Sequence, residues 1–332
     1  MIIGAGGIVT DAHLPAYRNA GFDVAGICDI DVDKAAGVAK RWGIGAVYGS
    51  AREAAEAGPD VVYDLATPPS ASADILPQLP DGATVLIQKP MGENLAQAER
   101  IHAACRAKGL TAAVNFQLRF SPMMLAVRDA IEADVLGELL DIEVHVNIAT
   151  PWELFPFLKY MDRVEIAVHS IHYLDLVRSL AGEPAGVFAR TLGDPRVPEL
   201  AQTRTSVILD YGRRLRAVMS VNHNHRFGRE FQAASIRVEG SRGCAVATLG
   251  LLLNYPAGEP DELSLCDASG TWRTIALQGR WFPDAFANVM SNLQRFRAGE
   301  DEELLTNVGD ALHTMRLVEA CFVADRTTSI PV

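Results

Sequence analysis

The strongest restriction on the fold is an alternation: over roughly the first 118 residues, short apolar runs take turns with alanine-rich stretches of helical period. Strands are read at residues 1–3, 23–28, 46–48, 61–66, 83–87 and 111–115, with helices between them, as at 33–42 and 95–108. Strands separated by helices predict βαβ units and a parallel, doubly wound α/β sheet. Ligands of such sheets collect outside the carboxyl ends of the strands, so residues just past each run are the first candidates for function. The opening strand is short against the usual length of about five or six residues. That fits either a clipped central strand or a natural chain that begins upstream of Met1.

From about Gly137 the pattern changes to longer segments of period two, at 138–147, 203–210, 215–221, 231–238 and 244–252, with turn residues at Tyr211-Gly212 and Glu239-Gly240. This predicts an α+β second domain with a large, mainly antiparallel open sheet. Helical patterns return at 164–180, 283–297 and 304–324, and the domains are read as 1–118 and 119–332. A chain of 332 residues, 49% hydrophobic, has material for two cores. Its net charge of -11 argues against nucleic acid or an anionic membrane as partner. Five cysteines with no C-x-x-C pair indicate neither a disulfide framework nor a thiolate metal site. With no leader-like start and no apolar run of about 18 residues, a cytoplasmic location is expected.

The first strand runs into Gly4-Ala5-Gly6-Gly7-Ile8-Val9. Glycines at that spacing allow a tight turn and let backbone N–H groups approach a pyrophosphate at a helix N-terminus. The third position of the G-x-G-x-x-G fingerprint is Val9, bulkier than usual, so the motif alone is weak evidence against an ordinary strand–helix turn. Asp29, directly after the second strand, stands where a carboxylate accepts hydrogen bonds from a ribose diol and repels a 2'-phosphate, favouring NAD over NADP. Of Asp31 and Asp33, one is expected to cap the next helix. The fourth strand ends at Thr67-Pro68-Pro69, either a rigid lip able to touch a ribose or nicotinamide amide, or plain loop punctuation. The fifth ends at Gln88-Lys89-Pro90, where the lysine is either an ordinary strand exit or points into the crevice.

Together, Gly4 to Ile8 with His13-Leu14-Pro15, Asp29, Ala66-Thr67-Pro68-Pro69, Lys89-Pro90 and the run Asn115 to Phe120 resemble the glucose-fructose oxidoreductase / inositol dehydrogenase / rhizopine catabolism (Gfo/Idh/MocA) family. Each motif is loose, while their order and spacing are specific, and the resemblance extends through His172 and Asp175 to the closing helix. It implies a Rossmann domain, a second domain with a large open sheet, a nicotinamide cofactor and a sugar or polyol substrate. The cofactor would be held by Gly4, Gly6, Gly7, Ile8, Asp29, Thr67, Pro68, Lys89 and Asn115. His172, three residues before Asp175, matches the family's catalytic histidine. Two acids of the pattern are replaced, one by Gln88 and one by Val168.

On a helix, His169, His172 and Asp175 would share one face. A histidine pair at i, i+3 could bind a metal, but no third ligand of known spacing is visible, and none is expected. Further substrate contacts are read at Arg119, which could equally form a domain-bridging salt bridge, and at Trp152 and Trp281. His223 and His225 alternate like strand residues and would face the pocket or a subunit contact. The chemistry expected is hydride transfer between NAD(H) and a carbinol or carbonyl, with Lys89 exchanging the proton and His172 or His169 as its partner. A homodimer or homotetramer formed through the large sheet is expected. Two alternatives share the scaffold: an NAD-using glycosidase or lyase with transient oxidation, and a non-catalytic NAD(H)-binding regulator.

Overall fold

The computed structural model describes residues 1–327, which divide into two compact units, Met1–Phe120 with Phe282–Arg316, and Ser121–Trp281 with the chain from Leu317 onward. The first holds six strands, β1 (Ile2–Ile3), β2 (Ile27–Cys28), β3 (Val47–Tyr48), β4 (Val62–Leu65), β5 (Thr84–Ile87) and β6 (Thr111–Val114). All pair in parallel, in the order β3-β2-β1-β4-β5-β6. The order reverses between β1 and β4, which is where a doubly wound sheet opens a crevice at its carboxyl edge. Although β1 has two residues, Ile2 pairs with both Ile27 and Asp64, so it is central. Helices cover both faces, and the apolar run of β5 is fully buried as a result. Each such Leu or Ile side chain contributes about 2 kcal/mol by leaving water.

Helix Asp284–Ala298 packs on helix Leu14–Ala20, on β5 and on β6. Its apolar stripe of Phe286, Val289, Met290 and Leu293 is buried there, and Asn307 bridges to Ala113. Residues 282–316 thus pack with the parallel sheet, although in sequence they lie inside the stretch 119–332 read as one domain.

The second unit is built on eight strands, β7 (Leu139–Asn147), β8 (Gly186–Leu192), β9 (Arg204–Asp210), β10 (Arg216–Asn222), β11 (Ala233–Gly240), β12 (Cys244–Thr248), β13 (Glu262–Cys266) and β14 (Trp272–Thr274), ordered β14-β13-β12-β11-β7-β10-β9-β8. Every neighbouring pair is antiparallel except β7 with β10. Burial alternates along β7, β9, β10 and β11, as a sheet covered on one face requires. Helices Pro122–Glu132 and Ile171–Ala181 lie on the covered face, against β12 and β7.

Two local expectations change. The strand read at 244–252 stops at Thr248, and Gly250–Leu252 form a 3-10 turn instead. The helix read at 164–180 begins with a π-helical segment, Glu165–Ser170, before the α-helix Ile171–Ala181. No helix among the described residues is long and apolar enough to cross a membrane.

Candidate functional site

In the first unit the predicted cofactor residues stand at successive strand ends. Gly4 has φ of +110°, and a Cβ there would lie 2.4 Å from the Ala66 carbonyl oxygen, so the turn after β1 admits only glycine. A Cβ on Gly6 would meet nothing within 4 Å, which leaves the backbone of this turn open to a ligand. Val9 is fully buried in a π-helical turn, Val9–His13, which accommodates the bulk that the fingerprint would not. The Asp29 carboxylate accepts from the Ala5 N–H at 2.7 Å and the Asp31 N–H at 3.0 Å, with the Lys34 ammonium at 3.7 Å. It clamps the glycine turn from the end of β2. Asp31 is the helix cap, accepting from Lys34 N–H.

Thr67 Oγ1 is buried without a hydrogen-bond partner, and so are both polar atoms of the Asn115 amide, on a residue with no exposure. A buried polar group left unpaired costs about 1–3 kcal/mol, and these lie just past β4 and β6, where a ligand belongs. Pro68 opens the 3-10 turn Pro69–Ala71 and its carbonyl accepts from Ala71. An open glycine turn, a carboxylate past β2 and orphaned donors and acceptors past β4 and β6 together fit a dinucleotide lying along this edge.

Lys89 is partly buried at the end of β5, and desolvation pushes its ammonium down to about 8. Its backbone N–H donates to Gln88 Oε1 at 2.8 Å. The Gln88 amide donates in turn to His13 Nε2 at 3.1 Å, which leaves the ring proton on Nδ1, donated to Asp64 Oδ2 at 2.6 Å. Tyr17 donates its hydroxyl to the same carboxylate oxygen at 2.7 Å. Burial, and after it the Asp64 charge, holds the Tyr17 phenol well above its usual range, so it stays a donor. Gln88 thus does in this chain what a neutral side chain can do: it braces Lys89 without adding a charge. The Asp64, His13 and Tyr17 members of this brace were not read from the sequence, yet two signals were there. One is a carboxylate inside the apolar run 61–66, and the other is a His–Tyr pair at i, i+4.

Arg119 is engaged inside the first unit, donating to Leu305 O at 3.1 Å and to Asp310 at 2.7 Å. It ties the 3-10 turn Gln117–Phe120 to residues 305–310. Of its two expected roles, the structure displays an ion pair, and one within a unit.

In the second unit His169 lies on the π-helical segment Glu165–Ser170 and His172 on the α-helix that follows it. Their rings have different aromatic neighbours. The His169 ring lies 4.3 Å from that of His223, while His172, 7% exposed, meets the edge of Trp281 at 6.2 Å. Asp175 is buried, with an Arg178 nitrogen at 4.0 Å. Trp281 is buried, its indole Nε1 without a hydrogen-bond partner. Trp152 is a core residue, packed with Leu158, Val164, Val197 and Leu200 and donating to Asn224 at 2.8 Å. Val168 packs against that same cluster, which explains an apolar residue where an acid was expected.

His223 and His225 do not belong to a strand, since β10 ends at Asn222. His223 turns inward to 1% exposure, and His225 Nδ1 lies 3.2 Å from Asn147 Nδ2. His223 joins Glu165 and His169 in a cluster whose ligand-capable atoms all lie within 4.8 Å of one another. Glu165 was missed by the sequence reading, though Glu165 and His169 at i, i+4 are a visible pair.

Residues 1–116 match the oxidoreductase family with an NAD-binding Rossmann fold, and residues 124–246 match the GFO/IDH/MocA C-terminal domain. The D-apiose dehydrogenase of Rhizobium rhizogenes (strain K84) is 24% identical over 330 residues, 97% of this chain and 93% of that protein. An oxidoreductase from Agrobacterium radiobacter, solved with NAD+, L-tartaric acid and magnesium, shares the fold with a TM-score of 0.81 at 22% identity, covering 98% of this chain and 95% of that one. The aldose-aldose oxidoreductase from Caulobacter crescentus, solved with glycerol, gives 0.81 at 18% identity over 98% and 96% of the two chains.

Proposed function

Because the chain belongs to the GFO/IDH/MocA family of oxidoreductases, we propose that it transfers a hydride between a nicotinamide dinucleotide and a carbinol or carbonyl carbon of a sugar, polyol or related hydroxylated molecule. Dehydrogenation at CH–OH carbon is its reaction class. The observation that carries the proposal is Lys89, an amine near neutrality at the carboxyl edge of the sheet, braced from behind by Gln88 and His13.

The residues suited to hold the cofactor are the backbone of Gly4, Gly6, Gly7 and Ile8 for the pyrophosphate, Asp29 for the ribose diol, and Thr67, Pro68 and Asn115 for the nicotinamide half. When bound, the nicotinamide supplies the redox chemistry. Asp29 would repel a 2'-phosphate, so NAD is the cofactor assigned. In the oxidation direction the neutral Lys89 amine accepts the hydroxyl proton as the carbinol C–H bond breaks. In reduction the ammonium returns it to the forming alkoxide. His172 is assigned as the partner that orients the substrate oxygen. His169 is the weaker candidate, since its ring lies tilted against that of His223 at 4.3 Å. Trp281, with its unpaired indole N–H, and Asp175 are assigned to substrate hydroxyls. The sugar or polyol class draws on relatives such as the D-apiose dehydrogenase.

We assign a homodimer or homotetramer, in the cytoplasm, formed through the open face of the large sheet. Phe188, Ile208 and Val218 lie in register across β8, β9 and β10, and Phe188 and Ile208 are 66% and 51% exposed. An apolar row of this kind is the usual mark of a protein contact.

A panel of sugars, polyols and sugar acids, read by NADH fluorescence with wild type beside Lys89→Ala, tests the proposal. The expected result is turnover on at least one member, lost in the variant. Turnover by Lys89→Ala at the wild-type rate would refute the lysine-centred chemistry. Bond cleavage without NADH accumulation would point instead to transient oxidation.

A further inference from the structure

We infer that Glu165, His169 and His223 form a binding site for one divalent transition-metal ion, zinc by the chemistry of its donors. The inference does not rest on the hydride-transfer proposal, because all three residues lie in the second unit and their geometry stands by itself. Glu165 and His169 are one turn apart on the π-helical segment, and His223 arrives from the end of β10. Their ligand-capable atoms lie within 4.8 Å of one another.

The second observation is an unmet need inside the cluster. Glu165 is fully buried, and Ser170 donates to its Oε1 at 2.7 Å, while Oε2 has no hydrogen-bond partner. His223 Nε2, on a residue 1% exposed, also has none, and its nearest carboxylate oxygen is Glu165 Oε1 at 3.5 Å. That spacing is too long for a hydrogen bond of useful strength. A carboxylate and an imidazole nitrogen so placed, both out of water, are stabilised by an ion between them.

The surroundings set the ligand state. His223 Nδ1 lies 2.8 Å from Thr150 Oγ1, so with the ring proton given to that hydroxyl the Nε2 lone pair faces the cluster. This is the outer-shell arrangement that metal-bound histidines use to fix their tautomer. The Trp152 indole, held by Asn224, stands edge-on to the His169 ring at 5.9 Å and tilted against the His223 ring at 5.8 Å, which limits their rotation. Two imidazoles and one carboxylate form the donor set of catalytic zinc sites, and it leaves one position open for an exogenous oxygen ligand. Magnesium, which takes oxygen ligands and keeps its waters, is a poor match. Tetrahedral zinc places its ligands about 3.3 Å apart, close to the 3.5 Å between His223 Nε2 and Glu165 Oε1.

The third ligand explains why the sequence indicated no metal. His169 and His172 were the visible pair, whereas the pair that converges is His169 and His223, distant in the chain.

The test uses the full chain, free of any tag and stripped of metal by dialysis against a chelator, titrated with zinc chloride by calorimetry. The account expects one zinc ion per chain, an affinity lowered by more than about 100-fold in His223→Ala, and no comparable heat with magnesium. His145→Ala, an exposed histidine on β7, should bind as wild type does. Zinc should also raise the melting temperature of wild type and leave that of His223→Ala unmoved. Should that variant fail to fold, cobalt(II) added to wild type reports directly, since four-coordinate cobalt gives intense visible absorption and an octahedral surface ion does not. Absence of stoichiometric zinc binding, equal affinity in a folded His223→Ala, or only the weak octahedral cobalt spectrum would each overturn the inference.

Discussion

The carboxyl edge of the parallel sheet and the Glu165–His169–His223 cluster are both gatherings of polar groups, assembled on different principles. At the sheet edge, Gly4, Asp29, Thr67, Lys89 and Asn115 each follow a strand, so backbone topology alone places them in a row. In the second unit, a loop threonine, a π-helical segment and the residue after a strand are brought together around Trp152 by side-chain packing. The unpaired atoms differ accordingly. Those of Thr67 and Asn115 lie along an edge, as suits an extended ligand, while those of Glu165 and His223 converge on one point, as suits an ion.

Four perturbations probe the first of these sites and the unit that carries it. The largest effect is expected at Lys89: its replacement by alanine should lower kcat by about 10³-fold, the scale of a lost general acid–base. Cofactor affinity, read by fluorescence titration, should stay within a few-fold. A comparable loss of cofactor binding would make Lys89 a ligand rather than a proton carrier. Next comes the brace, where His13→Ala leaves the buried Asp64 carboxylate without its imidazole partner and with only the Tyr17 hydroxyl of the brace. Urea unfolding should show a loss of about 3 kcal/mol, and kcat should fall by at least about tenfold as Gln88 loosens. Stability lost with kcat intact would mean that the brace does not reach Lys89.

Smaller is the expected effect of Asp29→Ser, which should shift the ratio of kcat/KM for NAD over NADP by about tenfold toward NADP, or about 1.4 kcal/mol. An unchanged ratio would remove Asp29 from the ribose. Smallest is Arg119→Leu, which breaks the contacts with Asp310 and Leu305. Thermal unfolding should report about 1 kcal/mol, with kcat/KM unaltered, and a fall in kcat/KM would return Arg119 to the substrate.

This contrast also accounts for what the sequence revealed. Period and glycine spacing placed β1 to β6 and hence the strand-end residues, because in a parallel sheet a residue's function follows from its position along the chain. Within the second sheet, the parallel pair β7–β10 and the strands β8, β13 and β14 were not legible. Non-local pairing decides them, and β14 is a three-residue edge strand with every residue exposed. Helical period read a regular helix from residue 164, whereas Glu165–Ser170 is π-helical, and no pattern in one sequence announces where such a segment will form. Asp64, a charge inside an apolar run, and the His13–Tyr17 pair at i, i+4 were each visible; that they meet was not, because they sit on different elements.

The most direct test of the central claim is the pH dependence of kcat/KM for carbinol oxidation, with NAD saturating. Oxidation needs Lys89 neutral, and burial sets its ammonium at about 8, or lower beside a positively charged nicotinamide. The rate should therefore fall tenfold per pH unit on the acid side of an inflection at or below that value. The reverse reduction, which needs the ammonium, should fall on the alkaline side, and Lys89→Met should show neither limb. An acid limb that persists unchanged in Lys89→Met would contradict the account.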